Sequence, residues 1–104
     1  MNHKKFTKLF ERRVALSRDV LASKSAEYST SDDKLFNFRQ AARILDTTPA
    51  KALQGMFSKH LVSLFDLISG RTKPSQYLID EKIGDCINYL ILLEAIITEG
   101  LKDE

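Results

Sequence analysis

The chain is poor in the residues that break helices. Its 104 residues include two prolines and four glycines, and the first of each are Pro49 and Gly55. Nothing in the first 48 positions therefore forbids a helix. Cysteine is almost absent: Cys86 is alone, which excludes a disulfide framework and points to a reducing compartment. Long hydrophobic runs are missing too. The longest apolar stretch, 86–97, is interrupted by Asn88 and Glu94 and falls short of the roughly 20 residues that span a bilayer. The apolar residues near the N-terminus are spaced rather than contiguous, unlike a signal peptide. There is no strand-like alternation, internal repeat or low-complexity tract. P-loop, glycine-rich dinucleotide loop, nucleophile-elbow and zinc-ligand spacings are also missing. With 43% hydrophobic residues the chain is too apolar for disorder and long enough for one core. The expectation is a single soluble, cytoplasmic domain with no membrane partner.

Charge is present but unevenly placed. The net charge is +2. Residues 1–24 hold seven cations against Glu11 and Asp19, whereas the remaining 80 hold nine against twelve acids. A basic first helix could contact an acidic partner, although a solvated face is the plainer reading. Nucleic acid is not the expected partner: the pI is about 8.7, and no zinc-finger, KH or RNP pattern accompanies it.

Helical periodicity predicts an all-α, four-helix fold. The first helix covers about 5–24, with Phe6, Leu9, Phe10, Val14, Leu16, Val20 and Leu21 inward and Ser17 in the same stripe. A polar break follows, with Ser31 as an N-cap and Asp32 and Asp33 at the positive end of the next dipole. The second helix, about 32–45, places Leu35, Phe38, Ala42 and Leu45 together. Thr48-Pro49 signals the start of the third, which buries Leu53, Met56, Phe57, Leu61, Leu64, Phe65 and Ile68 and ends at Gly70. The fourth covers about 75–99. From Cys86 onward it is apolar nearly all round, so it needs cover on every side, and a second copy of the chain is the expected source.

Polar residues interrupt these apolar faces. Glu81, Asp85 and Asn88 stand one above another on the fourth helix at i, i+4, i+7. Lys59, Ser63 and Asp66 repeat the spacing on the third, with His60 beside them. Glu27, Tyr28, Asp32, Asp33 and Asn37 cluster ahead of Phe38. Two arrangements fit. One is an interhelical pocket in which carboxylates hold Mg²⁺, Lys59 meets a phosphate and Tyr28 or Phe38 stacks on a base. The other is a satisfied core network in which Lys59 pairs with Asp85 and Asn37 and Asn88 cross-link helices. His60, at the edge of the third helix's apolar stripe, reads as a hydrogen-bonded packing residue. Cys86 reads as an inert buried thiol.

The series Glu27-Tyr28, Asp33, Asn37-Phe38, Lys59, Glu81-Lys82-Ile83-Gly84-Asp85 and Asn88-Tyr89 resembles small phage and prophage proteins of the nucleotide-modification-associated type. These are similar in turn to the all-α MazG-like nucleotide pyrophosphohydrolases. The likeness covers about residues 24–97. In MazG-like enzymes a Glu-x-x-Glu and a Glu-x-x-Asp motif bind Mg²⁺, which activates water for hydrolysis between the α and β phosphates. Asp85 matches the Asp of the second motif. Lys82 stands where its Glu would be, with Glu81 one position off, and Lys59 stands where the first motif would offer a carboxylate. The resemblance implies a MazG-like four-helix fold and a nucleotide, or nucleotide-derived, ligand. The expected site is Tyr28, Asp33, Asn37, Lys59, Asp85 and Asn88, with Glu81 and Asp85 as the candidate ligands of Mg²⁺. Binding or sequestration of a nucleotide signal is the leading expectation. A reduced Mg²⁺-dependent pyrophosphohydrolase, and an interaction or inhibitor protein using the basic first helix, are the alternatives.

Overall fold

The computed structural model describes residues 1–22 and 33–101. The chain is all-α. The described residues form four helices, α1 (His3–Leu21), α2 (Phe36–Leu45), α3 (Pro49–Ile68) and α4 (Gln76–Glu99), and no strand occurs among them. No helix among them is long and apolar enough to cross a membrane. The chain divides into two compact units, residues 1–32 and 33–104.

In the first unit, α1 begins two residues earlier than its apolar pattern requires. The Asn2 side chain accepts the Lys5 N–H at 2.8 Å and caps the first turn. The helix ends at Leu21, where the Ala22 N–H still reaches the Arg18 carbonyl. Its apolar stripe does not lie inward as periodicity predicts. Phe6, Leu9, Phe10, Val14 and Val20 are exposed, and Ser17 is the buried residue. Periodicity identifies the apolar face of a helix without supplying what covers it. Lys24, Glu27, Tyr28, Ser31 and Asp32, with the predicted cap and the aromatic member of the expected site, fall outside the described residues.

In the second unit each helix boundary has a local cause. Asp33 makes the turn into α2: its carboxylate accepts the Leu35 N–H at 2.9 Å and its carbonyl accepts the Phe36 N–H. The helix therefore starts at Phe36, later than the predicted 32. It closes on Asp46 in the left-handed region (φ 54°), with the Thr47 N–H bonded to the Ala42 carbonyl, the six-to-one bond of a Schellman stop. Thr48 Oγ1 then accepts the Lys51 N–H, and Pro49 occupies the first position of α3. Gly70, at φ +80°, turns the chain away beyond Ser69. Ser75 Oγ accepts the Leu78 N–H and opens α4.

Helix α3 packs against both α2 and α4. The core forms around Leu35, Phe38 and Leu53, with Met56, Phe57, Tyr89, Leu92, Leu93 and Ile96 against it. Leu53 is 1% exposed. Phe65 and Ile68, predicted to be buried, are 59% and 72% exposed. They lie along the last turns of α3, on a side that neither α2 nor α4 covers. Leu90, Ile91 and Ile97 on α4 are likewise exposed. Three helices cannot enclose an α4 that is apolar all round.

Candidate functional site

Phe57 and His60 lie three residues apart on α3, and Asp85 and Tyr89 four apart on α4. Both spacings stack side chains on one face, and the two faces meet. Tyr89 is the centre of the contact. Its ring stacks on Phe57 (centroids 5.5 Å apart, planes within 3°), meets Phe38 edge-on at 6.2 Å, and tilts over His60 at 4.7 Å. Such pairs add about 0.5–1.5 kcal/mol each beyond the burial of their surface. They hold Tyr89 between all three helices of the unit.

The polar line of α4 runs past this ring. His60 Nδ1 approaches Asp85 Oδ2 at 3.5 Å. Asp85 is thus met from α3 by His60 and not by its neighbour Lys59. Lys59 is exposed, because one residue on a helix turns a side chain by about 100°. The Cys86 thiol points to the His60 carbonyl at 3.7 Å. Burial and the adjacent Asp85 carboxylate push its pKa up, which keeps it protonated and unreactive. At the N-terminal end of the line, the Glu81 carboxylate raises the pKa of the Tyr77 hydroxyl. One turn beyond Asp85 comes Asn88. Its Oδ1 is buried and has no hydrogen-bond partner. An unpartnered buried acceptor costs about 1–3 kcal/mol, so its retention requires a reason.

Asp33 belongs to a separate cluster. Arg39 donates from Nε to Asp33 Oδ2 at 2.6 Å and from Nη2 to Glu99 Oε1 at 2.7 Å. It ties the entrance of α2 to the last turn of α4. The Arg39 hydrogen bond, and then the Leu35 N–H, hold the Asp33 carboxyl below its ordinary value. Both acids hold the guanidinium charged. Glu99 lies fourteen residues beyond Asp85 on one helix, which separates the two clusters by about 21 Å at 1.5 Å per residue. Asn37, on the exposed side of α2 beside Phe38, joins neither cluster.

The structure therefore brings together Asp85 and Asn88 of the expected set, adds His60 and Tyr89, and places Asp33, Asn37 and Lys59 elsewhere in the unit. Tyr89 carried a signal in the sequence, as the aromatic beside Asn88 in the motif. His60 was legible only as a packing residue at the edge of the α3 apolar stripe, beside Lys59. Among the described residues no three His, Cys, Asp or Glu side chains gather into a group able to hold a metal. Glu81 and Asp85 offer only two carboxylates, a poor fit to Mg²⁺. Phosphate and water oxygens would have to supply most of its six ligands.

Two surface pockets flank the core at the other end of the unit. One, of about 300 Å³, is lined by Ala50, Lys51, Leu53, Gln54, Phe57 and Leu93. The second, of about 240 Å³, is lined by Leu35, Arg39, Pro49, Ile96, Glu99 and Gly100. Phe57 connects the first to the Tyr89 stack.

No family model, curated protein or solved structure matches the chain.

Proposed function

We propose that the protein recognises a nucleotide, or a signal derived from one, beside Tyr89 at the α3–α4 contact, and holds it without turning it over. This is the function that the likeness to phage nucleotide-modification-associated proteins implies. The observation that carries the reading is the buried, unpartnered Asn88 Oδ1, which stands on α4 one turn beyond Asp85, the residue that meets His60. A base offers an exocyclic amine to such an acceptor. The reduced carboxylate set favours sequestration over Mg²⁺-assisted hydrolysis.

The test is a thermal-shift titration of the full chain with nucleosides, nucleotides and cyclic nucleotides, with and without Mg²⁺. A binder at 100 times its Kd stabilises by about 2.7 kcal/mol, and Asn88→Leu should remove that shift. Metal-dependent release of pyrophosphate, abolished by Asp85→Asn, would establish the hydrolase instead. A folded protein that binds no member of the series would leave the interaction role of basic α1.

We also infer that the working form is a homo-oligomer. Leu90 and Ile97 on α4 and Phe65 and Ile68 on α3 are each more than half exposed, and large apolar side chains left uncovered on packed helices mark an interface. Sedimentation as an 11.8 kDa species at micromolar concentration would overturn it.

A further inference from the structure

Two apolar faces carry the same written pattern. On α1 the residues Phe6, Leu9, Arg13, Leu16 and Val20 follow one another at steps of three, four, three and four. On α4 and in the turn two residues past its end, Ile87, Leu90, Glu94, Ile97 and Leu101 follow at the same steps. Alternation of three and four is the seam that one helix presents to another helix. Each seam has four apolar members and one charge, the charge is in the central position, and the two charges are opposite. Phe6, Leu9 and Val20 on one, and Leu90, Ile97 and Leu101 on the other, are more than half exposed. Glu94 is exposed as well.

We propose that the outward seam of α4 is the docking surface for α1 of a second copy of this chain. The proposal rests on the homo-oligomer reading and names the segments that make it. Charge decides the occupant. Helix α1 carries six cations against two acids, and α4 carries five acids against one cation. Pairing α4 with another α4 would set acid against acid, with Glu94 facing either its own copy or apolar side chains. Pairing the α4 seam with α1 sets Glu94 against Arg13. Because Arg13 and Glu94 each occupy the middle of a five-member seam, they meet in either direction of approach, with two apolar layers on each side. An embedded charge pair of this kind fixes register and selects the partner. Arg13 already has an interaction within its own chain, and a guanidinium has five N–H donors, so it can keep that contact and still serve Glu94. A two-fold dimer makes the contact twice.

The experiment is a charge swap read by sedimentation equilibrium. Arg13→Glu and Glu94→Arg should each weaken self-association at least tenfold, and circular dichroism should show both still helical. An equimolar mixture of the two should recover association close to wild type, because the mixed dimer contains one native pair and one reversed pair. If a swapped variant fails to fold, Arg13→Gln and Glu94→Gln replace it, and each should still weaken association. A monomeric wild type overturns both this proposal and the homo-oligomer reading. An oligomeric wild type whose association is unmoved by either substitution overturns this proposal alone. Loss in the single variants that the mixture does not recover, while the double variant in one chain does, places the contact within a chain and likewise overturns it.

Discussion

The two ends of α4 use charge in opposite ways. At the C-terminal end, Glu99 and Asp33 share one guanidinium, and the donors and acceptors of the cluster are matched at 2.6–2.9 Å. Toward the N-terminal half, Asp85 faces an imidazole at 3.5 Å, and Asn88 Oδ1 has no partner at all. The first arrangement is complete in itself and explains how α2 is held to α4. The second is incomplete, although it is the better buried of the two. A completed polar cluster near solvent reads as architecture. The uncompleted one is the place where we propose that a ligand binds.

The sharpest way to break this contrast is to remove what both ends depend on. Leu53→Ala should destabilise the unit by about 2–5 kcal/mol, as large-to-small changes at a fully buried site do. Both clusters should then be lost together in a single urea transition. Asn88→Leu separates them. Replacing an unpartnered buried acceptor with an apolar side chain should raise stability by about 1–2 kcal/mol while nucleotide binding disappears. A loss of stability would mean that Asn88 Oδ1 is satisfied, and the contrast between the two ends would fail. Gly55→Ala on the exposed side of α3 should add about 0.8–1 kcal/mol in chemical denaturation, since a Cβ there would meet nothing within 4 Å.

The Arg39 cluster should respond to pH and salt rather than to packing. Asp33 has its carboxyl pKa lowered in the folded state. Its contribution is thus present above the unfolded-state value of about 3.9 and is lost as pH falls through the lower folded value. In Arg39→Met the acid-limb slope of a melting-temperature profile should flatten, and added salt should reduce the difference from wild type. The smallest effect is expected at Cys86. With its pKa raised by burial and Asp85, the thiol should resist iodoacetamide at pH 7.5 in the folded protein and label readily in urea, as followed by intact mass.

The boundaries of α3 and the start of α4 were legible in the sequence because their causes are local. Thr48-Pro49, Gly70 and Ser75 act within one turn of where they stand. The start of α2 was less so: Asp33 supports a turn before the helix where the sequence suggested that it sits inside one. The match of Asp85 with His60 was not legible. Lys59 and His60 are adjacent, and which of them faces α4 is set by the rotation of α3 about its axis, a property of packing rather than of spacing. The exposure of Phe65, Ile68 and the α1 stripe was hidden for a related reason. Periodicity shows which residues share a face and is silent about what lies opposite. The separation of Asp33 from Asp85 follows from α4 being straight and long, which a list of motif residues does not express.

Asp46 carries a consequence for how this chain tolerates change. It closes α2 at φ 54°, in a region where an L-residue with a bulky or branched side chain is disfavoured by about 1–2 kcal/mol. Only Thr47 lies between it and the Thr48 cap, so the neighbouring backbone has little freedom to relax. In a saturation library, position 46 should accept glycine and asparagine and reject valine and isoleucine, although its side chain is exposed. An exposed position with so narrow a repertoire would look, in any such survey, like a binding residue, when its constraint is the hand of the backbone.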